Sequence, residues 1–260
     1  MDKPIVVFDS GVGGLPYLVH LRNRFSWEDF VYIADNKNFP YGEKTEESLV
    51  QIISILVTNI IKRFNPKAIV VACNTASVTS LKYIRELTSI PIIGVVPAVK
   101  PASDITRNNK IGVLATKRTV RGQYLQDLIN KFSPDKEVVL VGAGDIVNFV
   151  ETKMYNLEQD EIKEYIRDQV EPFKKSGVDS IVLGCTHFIH VSDEIEEALG
   201  SGVKIIDSRD GVTRQVGRVT DIGKVRERVG TSSFFLTNSR DVDSYIVFCK
   251  KHNVEFKGEF

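Results

Sequence analysis

A surplus of charge of either sign is missing from this chain: 34 Lys and Arg stand against 34 Asp and Glu, a formal net charge of zero. Neutralising a phosphate backbone takes a basic surplus, so nucleic acid is not expected as the main partner. Long apolar runs are missing too. The longest, residues 49–61, is interrupted by Gln51, Ser54, Thr58 and Asn59, and it falls short of the roughly 20 apolar residues of a membrane-spanning helix. No membrane partner is therefore expected. No secretory apolar stretch opens the chain, where a strand-like run begins at Ile5. Cysteine is scarce, with three residues, none at Cys-x-x-Cys spacing. Three thiols cannot all pair within one chain, so free thiols in a reducing cytoplasm are the expectation. Low-complexity tracts and long linkers are absent. What remains, 260 residues at 42% apolar and 26% charged, reads as a soluble globular chain of one large or two smaller domains.

Short apolar runs alternate with helical patterns along this chain. Strand-like segments fall at 4–8, 30–34, 68–72 and 91–95, and helical ones at 15–25, 45–63 and 76–87. The order then repeats, with strands at 110–115, 137–141, 180–184 and 203–206 and helices up to 131, at 158–175 and at 192–199. Such alternation implies βαβ units and mainly parallel sheets, an α/β class. The spacing suggests duplication: 64 residues separate Asp9 from Cys73, and 69 separate Thr116 from Cys185. We expect two pseudo-symmetric α/β domains, 1–97 and 98–207. The tail from 208 carries helical stretches at 210–218 and 241–251, a charged segment at 221–228 and a strand at 233–237. That strand needs a sheet to join, and the first domain, then 1–97 plus 208–260, is the expected host.

Within this pattern, two cysteines stand in near-copies of one phrase. Ile69-Val70-Val71-Ala72-Cys73-Asn74-Thr75 is answered by Ile181-Val182-Leu183-Gly184-Cys185-Thr186-His187. Core thiols have no need of one context twice. Two thiols on opposite sides of a carbon can remove a proton from one face and return one on the other. In open parallel sheets ligands bind beyond the carboxyl ends of the strands. Five polar clusters fall at or near such ends: Asp9-Ser10, Tyr41-Gly42, Cys73-Asn74-Thr75, 116–119 and Cys185-Thr186-His187. An active site in the cleft between the two domains is the expectation.

Each cluster has a plainer reading beside the functional one. Asp9-Ser10-Gly11-Val12-Gly13-Gly14 is a tight βα turn, a phosphate cradle, or a cradle for an anionic or amino group at a helix start. It lacks the Gly-x-Gly-x-x-Gly register and the Walker Lys, which disfavours nucleotides. Cys73 is a buried structural thiol, or a reactive one at a helix start, where a thiolate is favoured. Cys185 follows the same logic. It can also be read as the nucleophile of a Cys–His hydrolase with His187, or as a zinc ligand, though no further Cys or His stands at ligand spacing. Cys249 reads as core packing. His20, His190 and His252 show no partner pattern. Glu151, which follows an apolar run, reads from sequence alone as a helix-start carboxylate on a solvated face, with a buried carboxylate near the site as the second reading.

Together the fragments Phe8-Asp9-Ser10-Gly11-Val12-Gly13-Gly14-Leu15, Pro40-Tyr41-Gly42, Ala72-Cys73-Asn74-Thr75-Ala76-Ser77, Gly94-Val95-Val96-Pro97-Ala98 and Leu183-Gly184-Cys185-Thr186-His187 resemble the cofactor-independent, two-cysteine glutamate racemases of the aspartate/glutamate racemase superfamily. The resemblance covers residues 2–207 in the family's order and spacing. It implies glutamate as substrate, D-glutamate supplied for peptidoglycan, no metal or organic cofactor, and a homodimer. It implies that Cys73 serves the D-isomer and Cys185 the L-isomer. Asp9 would support the first thiol, and Glu151 with His187 the second. Substrate would be held by Asp9, Ser10, Tyr41, Gly42, Asn74, Thr75, Thr186 and His187. Racemisation of aspartate or another amino acid, a hydrolase using Cys185, and a non-catalytic amino-acid binding module are the alternatives. The chain departs from the family pattern at Phe188-Ile189, where Tyr-Pro is usual, at Asn38-Phe39 before Pro-Tyr-Gly, and at Pro16-Tyr17.

Overall fold

The computed structural model describes residues 3–220, 222, 227–240 and 242–260. Most of the charged segment read at 221–228 and the expected helix start at Asp241 lie outside them. Two compact units are present: Met1–Val95 with Arg209–Phe260, and Val96–Ser208.

The first unit begins β1 (Ile5–Asp9), α1 (Leu15–Arg24), β2 (Phe30–Ala34), α2 (Glu46–Phe64), β3 (Ala68–Val71), α3 (Asn74–Glu86) and β4 (Ile92–Gly94). The second unit holds α4 (Val99–Ile105), β5 (Lys110–Ala115), α5 (Lys117–Arg121), α6 (Gln123–Phe132), β6 (Glu137–Gly142), α7 (Asp145–Thr152), α8 (Gln159–Ser176), β7 (Ser180–Leu183), α9 (Ser192–Leu199) and β8 (Lys204–Ile206). The chain then returns to the first unit with α10 (Arg209–Val219), β9 (Ser232–Leu236), α11 (Val242–His252) and β10 (Glu255–Glu259).

The α/β class expected from the alternation holds. The sheets run β10-β9-β2-β1-β3-β4 and β6-β5-β7-β8, and every described strand pair is parallel. The central order β2-β1-β3-β4 repeats as β6-β5-β7-β8, so the second unit copies the first without the tail strands. Strands with helices on both faces are buried along their length, as β1, β2, β3 and β7 are. On one face of the first sheet, Val6, Phe8, Ile69 and Val71 pack against Leu49, Ile53, Val57 and Ile60 of α2. In the second sheet Ile111, Val113 and Val182 pack with Ala102 and Leu125. Each fully buried Leu, Ile, Val or Phe side chain contributes roughly 1.5–3 kcal/mol.

Local chemistry sets the ends of the helices. Thr45 caps α2 by accepting from Ser48 N at 3.2 Å. Glu158 and Glu161 form a reciprocal capping box on α8, and Gly177, in the left-handed region, ends that helix. Two expectations need correction. The helix expected to run unbroken to 131 is broken at Gly122, whose extended backbone (φ −75°, ψ 137°) separates α5 from α6. The third helix starts at Asn74, directly after Cys73, and not at Ala76. β10 was not foreseen, because its polar sequence Glu-Phe-Lys-Gly-Glu belongs to a sheet edge with alternate exposure.

Candidate active site

In the first unit the carboxyl ends of β1, β2 and β3 bring together Asp9, Ser10, Tyr41, Cys73, Asn74 and Thr75. Asp9 closes β1 and is fully buried; its Oδ1 accepts from Ser10 N at 2.6 Å. The glycine turn that follows is pinned by Tyr32, whose hydroxyl donates to Gly11 O (2.7 Å) and accepts from Gly14 N (3.0 Å). A Cβ on Gly14 would lie 2.7 Å from Ala72 Cβ. Only glycine therefore lets the turn press against the residue that precedes Cys73.

Cys73 is the residue before α3, in extended conformation (φ −141°, ψ 122°). It is buried, as are Asn74 and Thr75 in the first helical turn. Both polar atoms of the Asn74 amide, Nδ2 and Oδ1, lack a hydrogen-bond partner among the described residues. Burying an amide unpaired costs free energy, so both of its polar atoms are left to be satisfied.

Tyr41 lies in a 3₁₀ turn (Tyr41–Glu43) and is buried. Its hydroxyl donates to Asp35 Oδ2 at 2.7 Å. Burial first, then the Asp35 charge and hydrogen bond, then Cys73 and Asp9, hold its pKa well above the ordinary tyrosine range. The phenol stays protonated, with its one proton directed at Asp35. A Cβ on Gly42 would meet nothing within 4 Å, so the turn is open at that residue. Asp35 is the residue that sequence reasoning missed. It is 1% exposed and directly follows β2 as Ser10 follows β1. A carboxylate at the carboxyl end of a parallel strand was the signal available.

In the second unit Cys185 adopts nearly the same backbone conformation (φ −143°, ψ 135°) and is equally buried. It precedes a six-residue 3₁₀ turn, Thr186–Val191. The α-helical start expected beside both thiols thus stands beside Cys73 alone. Thr186 and His187 are buried, and His187 Nε2 lies 3.0 Å from Glu151 Oε2. Glu151 sits near the C-terminal end of α7 and is 5% exposed. Of its two readings, the helix-start carboxylate on a solvated face is corrected on both counts and burial holds: the stretch before it is a helix that turns the carboxylate inward onto an imidazole. Phe188 and Ile189, which depart from the family pattern, are buried apolar side chains.

Register also refines the duplication. Ala72 N donates to Phe8 O (2.8 Å) and Gly184 N to Leu114 O (2.7 Å); Asp35 N donates to Asp9 O (2.8 Å) and Ala143 N to Ala115 O (2.9 Å). Cys73 and Cys185 are therefore true equivalents. The counterpart of Asp9 is Ala115, not Thr116, and that of Asp35 is Ala143. The second unit has alanine wherever the first has a strand-end carboxylate, and the buried carboxylate beside His187, Glu151, comes from a helix. Thr116 corresponds to Ser10 and caps α5 by accepting from Thr119 N at 3.2 Å. Cys249, on α11, is buried, and burial pushes its thiol up to about 12. Among the described residues no group of three or more His, Cys, Asp or Glu could hold a metal ion, and no helix is long and apolar enough to cross a membrane.

The duplicated parallel α/β fold with one buried thiol at each equivalent strand end now has a class: residues 26–216 match the Asp/Glu/Hydantoin racemase model, and the chain belongs to that family. Among its relatives, the glutamate racemase of Shewanella sp. (strain ANA-3) is 38% identical over 229 residues, 88% of this chain and 83% of the relative. That of Shewanella halifaxensis is 40% identical over 216 residues, 83% of this chain and 80% of the relative. The crystal structure of Escherichia coli glutamate racemase, in complex with L-glutamate and the activator UDP-MurNAc-Ala, superposes with a TM-score of 0.90 at 30% identity, covering 99% of this chain and 98% of that one.

Proposed function

We propose that this chain interconverts L- and D-glutamate without a cofactor, by two-base proton transfer between Cys73 and Cys185. The observation that carries the reading is the pair of buried thiols at register-equivalent strand ends. The glutamate racemases among its relatives support the choice of substrate. The thiolate on one face takes the α-proton and becomes a thiol, leaving a carbanion. The opposite thiol donates its proton to the other face and becomes the thiolate. Each turnover inverts the carbon and exchanges the two roles. The carbanion needs its charge stabilised where it forms, by donors around the α-carboxylate in a dry site. The Asn74 amide is unpartnered and suited to that task, with Ser10, Thr75, Thr186 and the Tyr41-Gly42 turn completing the grip. Asp9 supports Cys73, and Glu151 orients His187 beside Cys185. The D-glutamate formed would feed peptidoglycan assembly, in a cytoplasmic homodimer with no nucleic-acid or membrane partner.

Solvent exchange tests the reading. L-Glutamate incubated with the protein in D₂O should lose its α-proton signal and its optical rotation together. Cys73→Ala and Cys185→Ala should each lower racemisation by about 10³-fold, within the range for removal of a positioned proton-transfer group. If the parent protein shows no exchange and no loss of rotation, the proposal fails. Faster turnover of L-aspartate in the same assay would transfer the reading to that substrate, and full activity of Cys73→Ala would favour a Cys185–His187 hydrolase.

A further inference from the structure

The turn carrying Tyr41 and Gly42 is tied down by a segment some two hundred residues away. Asp35 is buried, and among the described residues its carboxylate accepts from neutral donors. Oδ1 accepts from Thr237 Oγ1 (2.6 Å) and Asn38 Nδ2 (3.0 Å). Oδ2 accepts from Tyr41 OH (2.7 Å) and the same Asn38 amide (3.0 Å). Thr237 directly follows β9. Its backbone N donates to Ala34 O at 3.1 Å, and its hydroxyl also accepts from Lys37 N at 3.2 Å. A second tie lies alongside. Asn36 Nδ2 donates to Asn238 O (2.7 Å), while Asn238 N donates to Asn36 Oδ1 (2.9 Å), a reciprocal pair between a side-chain amide and a backbone. Both ties join the end of β9 to the segment leading from β2 to Tyr41.

We propose that Thr237 is a positioning residue for the Tyr41-Gly42 turn, acting through the Asp35 carboxylate, with the Asn36–Asn238 pair as the second tie of the same clasp. This inference rests on reading that turn as part of the glutamate site. The phenol of Tyr41 is directed at Asp35, so the turn meets substrate through its backbone at the open Gly42, and the height of that backbone is set by where Asp35 sits. Without the Thr237 hydroxyl, the carboxylate keeps only the donors of its own loop, Asn38 and Tyr41, and loses its side-chain tie to the end of β9. A shift of about 1 Å in a positioning group is enough to weaken binding measurably.

The test compares Thr237→Val, which keeps the β-branched shape and removes the hydroxyl, with Thr237→Ser, which keeps the hydroxyl. Loss of one hydrogen bond to a charged group should raise KM for L-glutamate about tenfold. Because the turn holds ground and transition states alike, kcat should stay within about threefold. Thr237→Ser should restore the parent KM, and Asn36→Ala should raise KM in the same direction. An unchanged KM in Thr237→Val overturns the proposal. So does a raised KM that serine fails to restore, or a fall in kcat that tracks a lower Tm, which would mark a role in folding alone. The dissociation constant for L-glutamate, measured by titration calorimetry on the same variants, separates the two levels. A parent protein that binds glutamate but exchanges no α-proton ends the racemase reading, and the Thr237→Val affinity still decides the positioning role. No binding by the parent overturns both.

Discussion

His252 illustrates how burial alone can write a pH dependence into this fold. The imidazole is packed on α11, and burial first, then the charges of Lys251 and Arg22, push its pKa down to about 4, against an ordinary value of about 6.5. The folded protein keeps His252 neutral where the unfolded chain takes up a proton. Its contribution to stability is therefore complete above about pH 6.5, falls as the pH drops, and is spent by about pH 4. Discounted for partial exposure, the loss between pH 7 and pH 4 should be about 1–2 kcal/mol. Urea midpoints at pH 7 and pH 5 will show it; His252→Gln should flatten that part of the profile, and an unchanged slope would remove His252 as the cause. Residue identity was informative for the thiols, because Cys73 and Cys185 share a phrase that Cys249 lacks. For Asp35 only its place at a strand end spoke; its neighbours Asn36 and Asn38 look like ordinary turn residues until Thr237 arrives from the far end of the chain.

At the scale of elements, the first βα junction depends on a close approach. Gly14 begins the turn into α1 with Tyr32 OH on one side and Ala72 Cβ on the other. An added methyl would sit 2.9 Å from the hydroxyl and 2.7 Å from the carbon. Gly14→Ala should cost about 1–3 kcal/mol through overpacking, and by moving the Asp9-Ser10 turn away from Cys73 it should also lower activity. Denaturation and racemisation measured on one preparation check both halves; full stability with full activity would show that α1 can shift at no cost. Strands 30–34 and 110–115 and helix 192–199 were legible to the residue, because apolar runs and periodicity are local signals. The break at Gly122, the 3₁₀ turn after Cys185 and the edge strand β10 were not. The edge strand, for one, exists only through its pairing with β9.

At the scale of the whole chain, the two units differ in how they are threaded. The second is continuous, whereas the first is completed only when β9 returns to pair with β2, which places Thr237 against Asp35, 202 positions away. Long loops are slow to close. In pulsed hydrogen exchange during refolding, amides of β5 and β7 should become protected before those of β9; simultaneous protection would show that the long-range pairing is not the late step.

By itself, the sequence determined the α/β class, the duplication, the two thiols and the family, because these rest on local periodicity and on short phrases repeated within a chain. The tertiary structure alone decided which positions correspond. Spacing paired Asp9 with Thr116, but hydrogen-bond register pairs it with Ala115, since loop lengths differ between the copies and only the ladder counts residues faithfully. It turned Glu151 inward onto His187, a pairing that the family resemblance implied but that no residue pattern showed, and it alone joined Asp35, Tyr41 and Thr237 into one buried network. Such a network is formed by strand order, and strand order is a long-range outcome of burying both faces of a sheet that no stretch of sequence records.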